Sequence, residues 1–311
     1  MKNNFLSVTD LSTAAMKRIF RIAAVLKKET SGGVTRNSLA QKTLVMLFEK
    51  PSLRTRLSFE TGMTQLGGHA VYLGPADIGL GTRESIADIA KVASSMGDIL
   101  MARVYSHATL YELSQYSSVP VINGLSDLEH PCQVLADLFT ILEKKKKLKG
   151  LTLAFIGDGE NNIAHSLVLA GALWGMNVRV ASPKGYQVNK EVLRMAQTIC
   201  VWSGGHTLVT EDPQDAAKGA DVVYADTWVS MGDEKEKETR LRVFRPYQVN
   251  ERIMSRAARD AIFMHDLPAY RGLEVTADVI DGKQSVVFQQ AENRLHVQKA
   301  LMLCLLGRDA V

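Results

Sequence analysis

Hydrophobic and polar positions alternate along the 311-residue chain in two rhythms. The runs TLVMLF (43–48), HAVYLG (69–74), DILMARV (98–104) and VPVING (119–124) are almost wholly apolar, as strands buried on both faces are. Between and after them, apolar residues spaced three and four apart predict helices that begin near Leu53, Arg83, Ala108 and Pro131. A second series opens at LTLAFIG (151–157) and continues through NVRVAS (177–182), HTLVT (206–210), DVVYAD (221–226) and AIFMHD (261–266). Strands that alternate with helices predict parallel sheets and crossover helices. The expected fold is α/β, with two doubly wound domains joined by interdomain helices.

The stretch LEKKKKLKG (142–150) reads as the solvated end of a long helix and a linker, in preference to a phosphate-binding cluster. It sets the expected division at residues 1–145 and 146–290. The final segment AENRLHVQKALMLCLLG (291–307) has Leu295, Ala300, Leu301, Cys304 and Leu305 at helical spacing and predicts a closing helix. Near the start, DLSTAAMKRIFRIAAVLKK (10–28) is basic enough for a transit peptide. Its early Asp10 and the spacing of Met16, Ile19, Phe20 and Ala23 favour a capped first helix instead.

Composition narrows the function without naming it. Hydrophobic residues at 46%, charged residues at 23% and a net charge of +4 describe an ordinary globular protein, not a nucleic-acid-coating or disordered one. Any basic site is therefore local. Cys132, Cys200 and Cys304 form no C-x-x-C pattern and no even set, which fits a reducing cytoplasm better than a disulfide framework or a zinc knuckle. No apolar run reaches the roughly 20 residues of a membrane span.

The local basic site is EKPSLRTRLSFE (49–60), placed where a strand ends and a helix begins. Open α/β sheets bind ligands at such junctions, where helix N–H groups lack intrahelical partners. Ser52, Arg54 and Thr55 there suit a phosphate group, although a capped helix with surface arginines gives the same letters. Arg103 ends the third strand signal and DLEHPCQ (127–133) follows the fourth. Pro131 suits a first helical turn, so His130 and Gln133 flank a helix start. An imidazole kept neutral by neighbouring cations can polarise a carbonyl oxygen, and a glutamine amide can hold an NH2 group. A phosphate, a carbonyl and an amino group together describe carbamoyl phosphate.

The ordered set SLRTR, GLSDLEHPCQVLAD, GDGENN, DTWVSMG, HDLPAYRG and AENR resembles the aspartate/ornithine carbamoyltransferase family, on its ornithine side. The resemblance implies a carbamoyl phosphate site formed by Ser52, Leu53, Arg54, Thr55, Arg103, His130, Gln133 and Leu267, with Arg294 of the closing helix completing the first domain. It implies an ornithine site formed by Asn162, Asp226, Ser230 and Met231, and catalytic roles for Arg103, His130, Asp226 and Asp266. The implied reaction is attack of the δ-amine of L-ornithine on the carbamoyl carbon, giving L-citrulline and phosphate, in arginine metabolism. The family needs no cofactor or metal and assembles as trimers, which implies a homotrimer or a multiple of one, without nucleic acid or membrane partners.

Two departures qualify the resemblance. Ornithine enzymes generally carry HCLP where this chain has His265-Asp266-Leu267-Pro268, so a carboxylate stands in place of a thiol. It can serve as a proton acceptor or can hold the amine in its unreactive ammonium form. Altered acceptor choice, pH optimum or inhibitor sensitivity is expected, unless Asp266 points away or is paired. In DIGLG (77–81), Gly79 offers no polar side chain to a neighbouring subunit. FIGDGENN also resembles a dinucleotide-binding turn, but Asn162 occupies the third glycine position and no acidic residue ends the next strand. Alternatives kept open are a transferase for N-acylornithine, lysine or putrescine, and a silent carbamoyl-phosphate-binding subunit.

Overall fold

The computed structural model describes residues 4–80, 83–229 and 234–309. The chain forms two compact units, one of residues 1–139 with 292–311 and one of residues 140–291.

The first unit is built on four parallel strands, β1 (Thr43–Phe48), β2 (His69–Leu73), β3 (Ile99–Arg103) and β4 (Val121–Leu125), in the order β2-β1-β3-β4. The chain leaves β1 toward β2 on one side and returns to pair β3 on the other, so the order reverses beside β1. Such a reversal opens a crevice at the carboxyl ends of the two central strands. Alternate residues of those strands (Val45, Leu47, Leu100, Ala102) pack with Ile89, Ala90, Leu110 and Leu113 of the helices Ile86–Met96 and His107–Tyr116. The intervening residues Leu44, Met46, Phe48 and Met101 are also fully buried, which explains why these strands read as continuous apolar runs.

The first helix spans Thr13–Ser31 and buries Met16, Ile19, Phe20 and Ala23 as the spacing predicted. Its cap is not Asp10 but Ser12, whose hydroxyl accepts from the Ala15 N–H. Asp10 instead closes a short capping box with Ser7. The helix expected near Arg83 starts at Ile86, because Ser85 accepts from the Asp88 N–H and supplies the cap that Arg83 cannot. Gly79 ends the short turn Pro75–Ile78 in the left-handed region (φ +49°), a conformation glycine reaches without penalty.

The second unit carries five parallel strands, β5 (Thr152–Ile156), β6 (Asn177–Ala181), β7 (His206–Thr210), β8 (Val222–Ala225) and β9 (Ile262–Met264), in the order β7-β6-β5-β8-β9. Here the reversal lies between β5 and β8. Ala154, Ile156, Val223, Ala225 and Phe263 form one face of the sheet, covered by Ala216, Ile253, Met254, Val279 and Ile280. Each large apolar side chain so buried contributes roughly 1.5–3 kcal/mol relative to exposure. Among the described residues, no helix is long and apolar enough to cross a membrane.

Candidate active site

In the first unit, parallel register sets Phe48 beside Arg103, so the turn after β1 and the end of β3 open at one level. The helix Leu53–Gln65 begins there, with Ser52 as its cap in extended conformation and the Ser52 hydroxyl accepting from the Thr55 N–H. Leu53 is 75% exposed through its side chain, so what the first helical position can offer a ligand is its backbone N–H. Thr55 is fully buried, and its hydroxyl accepts from Ser52 at 3.1 Å and from Arg294 at 2.8 Å. The same Arg294 guanidinium donates to Gln133 Oε1 at 2.9 Å, and Gln133 Nε2 donates to Asp137 at 2.9 Å. The fork of one arginine thus ties two helices through Thr55 and Gln133, 78 positions apart in the sequence.

His130 lies buried just before the helix Pro131–Lys145. Burial pushes its pKa well below the ordinary histidine value, and Arg294, Arg103, Arg54 and Lys50 push it further down. The imidazole is therefore neutral at physiological pH. The adjacent Cys132 is no nucleophile, because burial raises its thiol to about 12. Lys50 went unnoticed as a member of this cluster. It is buried, with its ammonium 4.5 Å from the Tyr105 ring centroid, and the letters EKP alone do not distinguish it from a surface lysine.

In the second unit, Ile156 pairs with Ala225, which puts Gly157 and Asp226 at the ends of adjacent strands. Gly157 has φ +143°, open to glycine alone, and a Cβ on Gly159 would lie 2.9 Å from the Tyr186 carbonyl oxygen and 3.0 Å from the Val188 nitrogen. Both glycines of GDG are thus required by the turn itself. Asn161 caps the helix Asn162–Leu173 by accepting from the Ala164 N–H, while its amide donates to Asp226 Oδ2 at 2.8 Å. The Thr227 N–H donates to Asp226 Oδ1 at 2.6 Å. Asn162 is the first helical residue and only partly buried, and its neighbour Asn161 is an asparagine that donates to Asp226. Asp158, in the same turn, is buried against Arg240 at 2.6 Å.

Asp226 is itself buried, and burial, then Asp266, then Glu274 push its carboxyl well above the usual range. Oxygens of Asp226 and Asp266 and a ring nitrogen of His265 lie within 4.8 Å of one another. His265 Nδ1 accepts from the Leu267 N–H at 2.9 Å, so the ring proton sits on Nε2, which faces Glu274 Oε1 at 3.3 Å. Leu267 is held with φ +62°, a strained conformation for a branched residue that fixes where its carbonyl points. Asp266 does not point away from the site. Ser230 and Met231 lie outside the described residues.

Comparison with known proteins matches a separate family domain to each half of the chain. The description "Aspartate/ornithine carbamoyltransferase, carbamoyl-P binding domain" matches residues 3–143, and "Aspartate/ornithine carbamoyltransferase, Asp/Orn binding domain" matches residues 149–305. The chain belongs to the aspartate/ornithine carbamoyltransferase family. Within the family it is 52% identical to the ornithine carbamoyltransferase of Anoxybacillus flavithermus over 97% of this chain and 96% of that one. It is 51% identical to the ornithine carbamoyltransferase of Methanosarcina acetivorans over 98% of this chain and all of that one, 100%. The structure of ornithine carbamoyltransferase from Pyrococcus furiosus superposes with a TM-score of 0.95 at 48% identity, covering 98% of this chain and 97% of that one. In this family member the C-terminal helix Val287–Leu305 falls in the sequence span of the second family domain, yet from Glu292 onward it packs with the first compact unit.

Proposed function

We propose that the protein transfers the carbamoyl group of carbamoyl phosphate to the δ-amine of L-ornithine, releasing L-citrulline and phosphate. The observation that carries this reading is the Arg294 fork on Thr55 and Gln133 beside a buried, neutral His130. Ser52, the Leu53 N–H, Arg54 and Thr55 hold the phosphate, at a helix start whose dipole favours an anion. Arg103, His130 and Thr55 take the charge that develops on the carbamoyl oxygen, and neutral His130 donates without repelling the neighbouring cations. Gln133 holds the carbamoyl NH2 group.

Asp226 receives the ammonium end of ornithine, with Asn161 orienting its carboxylate. Asn162, Ser230 and Met231 hold the α-amino and α-carboxylate groups. The working assembly is a homotrimer or a multiple of one, in the cytoplasm, in arginine biosynthesis, with domains at 1–145 plus 291–311 and at 146–290. A second reading, transfer to N-acetylornithine, lysine or putrescine, is favoured by one observation, the carboxylate of Asp266 beside Asp226.

Phosphate release from carbamoyl phosphate, measured with each amine in turn and with the product mass determined, tests the proposal. Release with L-ornithine and a citrulline product is the expected result. Turnover with another amine alone supports the second reading, and binding of carbamoyl phosphate without turnover of any amine makes the chain a silent binding subunit.

A further inference from the structure

Parallel register brings two acids together at the ends of β8 and β9. Tyr224 pairs with Met264, so two residues further along each strand Asp226 and Asp266 stand at the same level. Asp226 is spoken for by Asn161 and Thr227, one donor on each oxygen. Asp266 Oδ1 is buried and receives no hydrogen bond, and its neighbour at 3.5 Å, His265 Nδ1, presents a lone pair already engaged by the Leu267 N–H. Two lone-pair-bearing atoms cannot satisfy each other without a proton between acceptors.

The charged surroundings sharpen this. The ionisable groups that face Asp226 are Asp266 on the neighbouring strand end and Glu274 behind His265, both acidic. His265 Nδ1 is turned to the Leu267 N–H as an acceptor, and Arg240 on its own helix is engaged by Asp158. Two carboxylates whose oxygens lie within 4.8 Å, that of Asp226 buried and that of Asp266 partly so, do not both ionise when neighbouring charges are also negative.

We propose that Asp226 and Asp266 share one proton in the unliganded protein, and that the pair then takes up a proton from the ammonium group of the bound amine. The proposal rests on the reading of this unit as the ornithine site. Docking of the ammonium favours the fully ionised pair, and the shared proton leaves to solvent. One N–H bond of the ammonium then breaks with its electron pair left on nitrogen, and an O–H bond forms on the pair. The amine becomes a nucleophile and the pair returns to its singly protonated state. A lone carboxylate is too weak a base for this task, whereas a carboxylate crowded by a second one takes up a proton more readily.

Two measurements test it. Infrared absorption of the carboxylic acid carbonyl, recorded at pH 7 on the unliganded full-length protein, needs no turnover. The wild type minus Asp266→Asn difference should show one acid band, which the same difference with Asp266→Glu should lack; acid bands from elsewhere, such as Glu129, cancel. No difference band overturns the shared proton. Second, kcat/KM for L-ornithine against pH, at saturating carbamoyl phosphate, should fall roughly 100-fold at pH 7 in Asp266→Asn. Its optimum should move to alkaline pH, where water rather than the pair deprotonates the amine. Asp266→Glu should keep the wild-type profile, and superimposable wild-type and Asp266→Asn profiles overturn the uptake step. An infrared band without wild-type turnover of ornithine removes the reading of the reaction and supports the shared proton.

Discussion

The two units build their sites at the same place, the reversal point of a parallel sheet, and fill it with opposite charge. In the first, Lys50, Arg54, Arg103 and Arg294 surround His130; in the second, Asp226 meets Asp266 and Glu274. Burial is the first cause of the shift in each, and it drives His130 down and Asp226 up. Both groups are thereby pushed toward their neutral forms, because low dielectric penalises charge of either sign and like-charged neighbours add to the penalty. A shared topology therefore supplies position, while the sign of the surrounding charges differs, cationic around His130 and anionic around Asp226.

Buried arginines sharpen that contrast. Arg240 in the second unit faces the Asp158 carboxylate, whereas Arg294 in the first donates to two neutral side chains. Arg240→Met removes the ion-pair partner of a buried carboxylate and should lower unfolding stability by about 3–5 kcal/mol, measured by urea denaturation. A loss below about 1 kcal/mol would show that Asp158 is solvated or repaired, and the contrast would break. Arg294→Met takes a donor from the Thr55 hydroxyl and from the Gln133 amide oxygen, both uncharged, so its largest effect should fall on carbamoyl phosphate. Affinity by titration calorimetry should drop about 100-fold, or about 3 kcal/mol, from two lost charge-assisted donors.

Glu129 tests whether burial outweighs a basic neighbourhood. It precedes His130 yet is buried, accepts from the Val8 N–H at 3.0 Å, and is pushed up to about 7, chiefly by burial. Its folded pKa lies above its unfolded value, so its contribution to stability is full below about pH 4.5 and is lost as pH rises through about 7. Glu129→Gln, which keeps an acceptor for Val8, should flatten this decline and gain on the order of 1–2 kcal/mol at pH 8 in thermal melts. An unchanged pH slope would mean that Glu129 is ionised beside His130 and that the cations of this unit reach further than their contacts.

Much of the site was legible in the letters because helix starts and strand ends are local events. Ser52, Thr55, His130 and Gln133 sit at junctions marked by proline, cap residues and a change of hydrophobic rhythm, and the structure puts them at those junctions. Arg294 was attributed to the same group by resemblance, since nothing local ties position 294 to position 55. Lys50, Asn161, Glu274 and Asp137 were missed. Of these, only Asp137 carried a usable signal, its four-residue spacing from Gln133 on one helix face, which is the spacing at which side chains of neighbouring turns meet.

By itself the sequence determined the alternation of strand and helix, the apolar runs that make the sheets two-sided, the glycine turn after β5 and the family to which the chain belongs. Each depends on residues near one another along the chain, where period, backbone freedom and capping chemistry act directly. Only tertiary structure decided that Asp226 and Asp266 face each other, that His265 turns a lone pair rather than a proton toward them, and that burial outranks the cations in setting His130. Those outcomes depend on strand register and on the loss of water around buried charge, and both arise when distant segments pair.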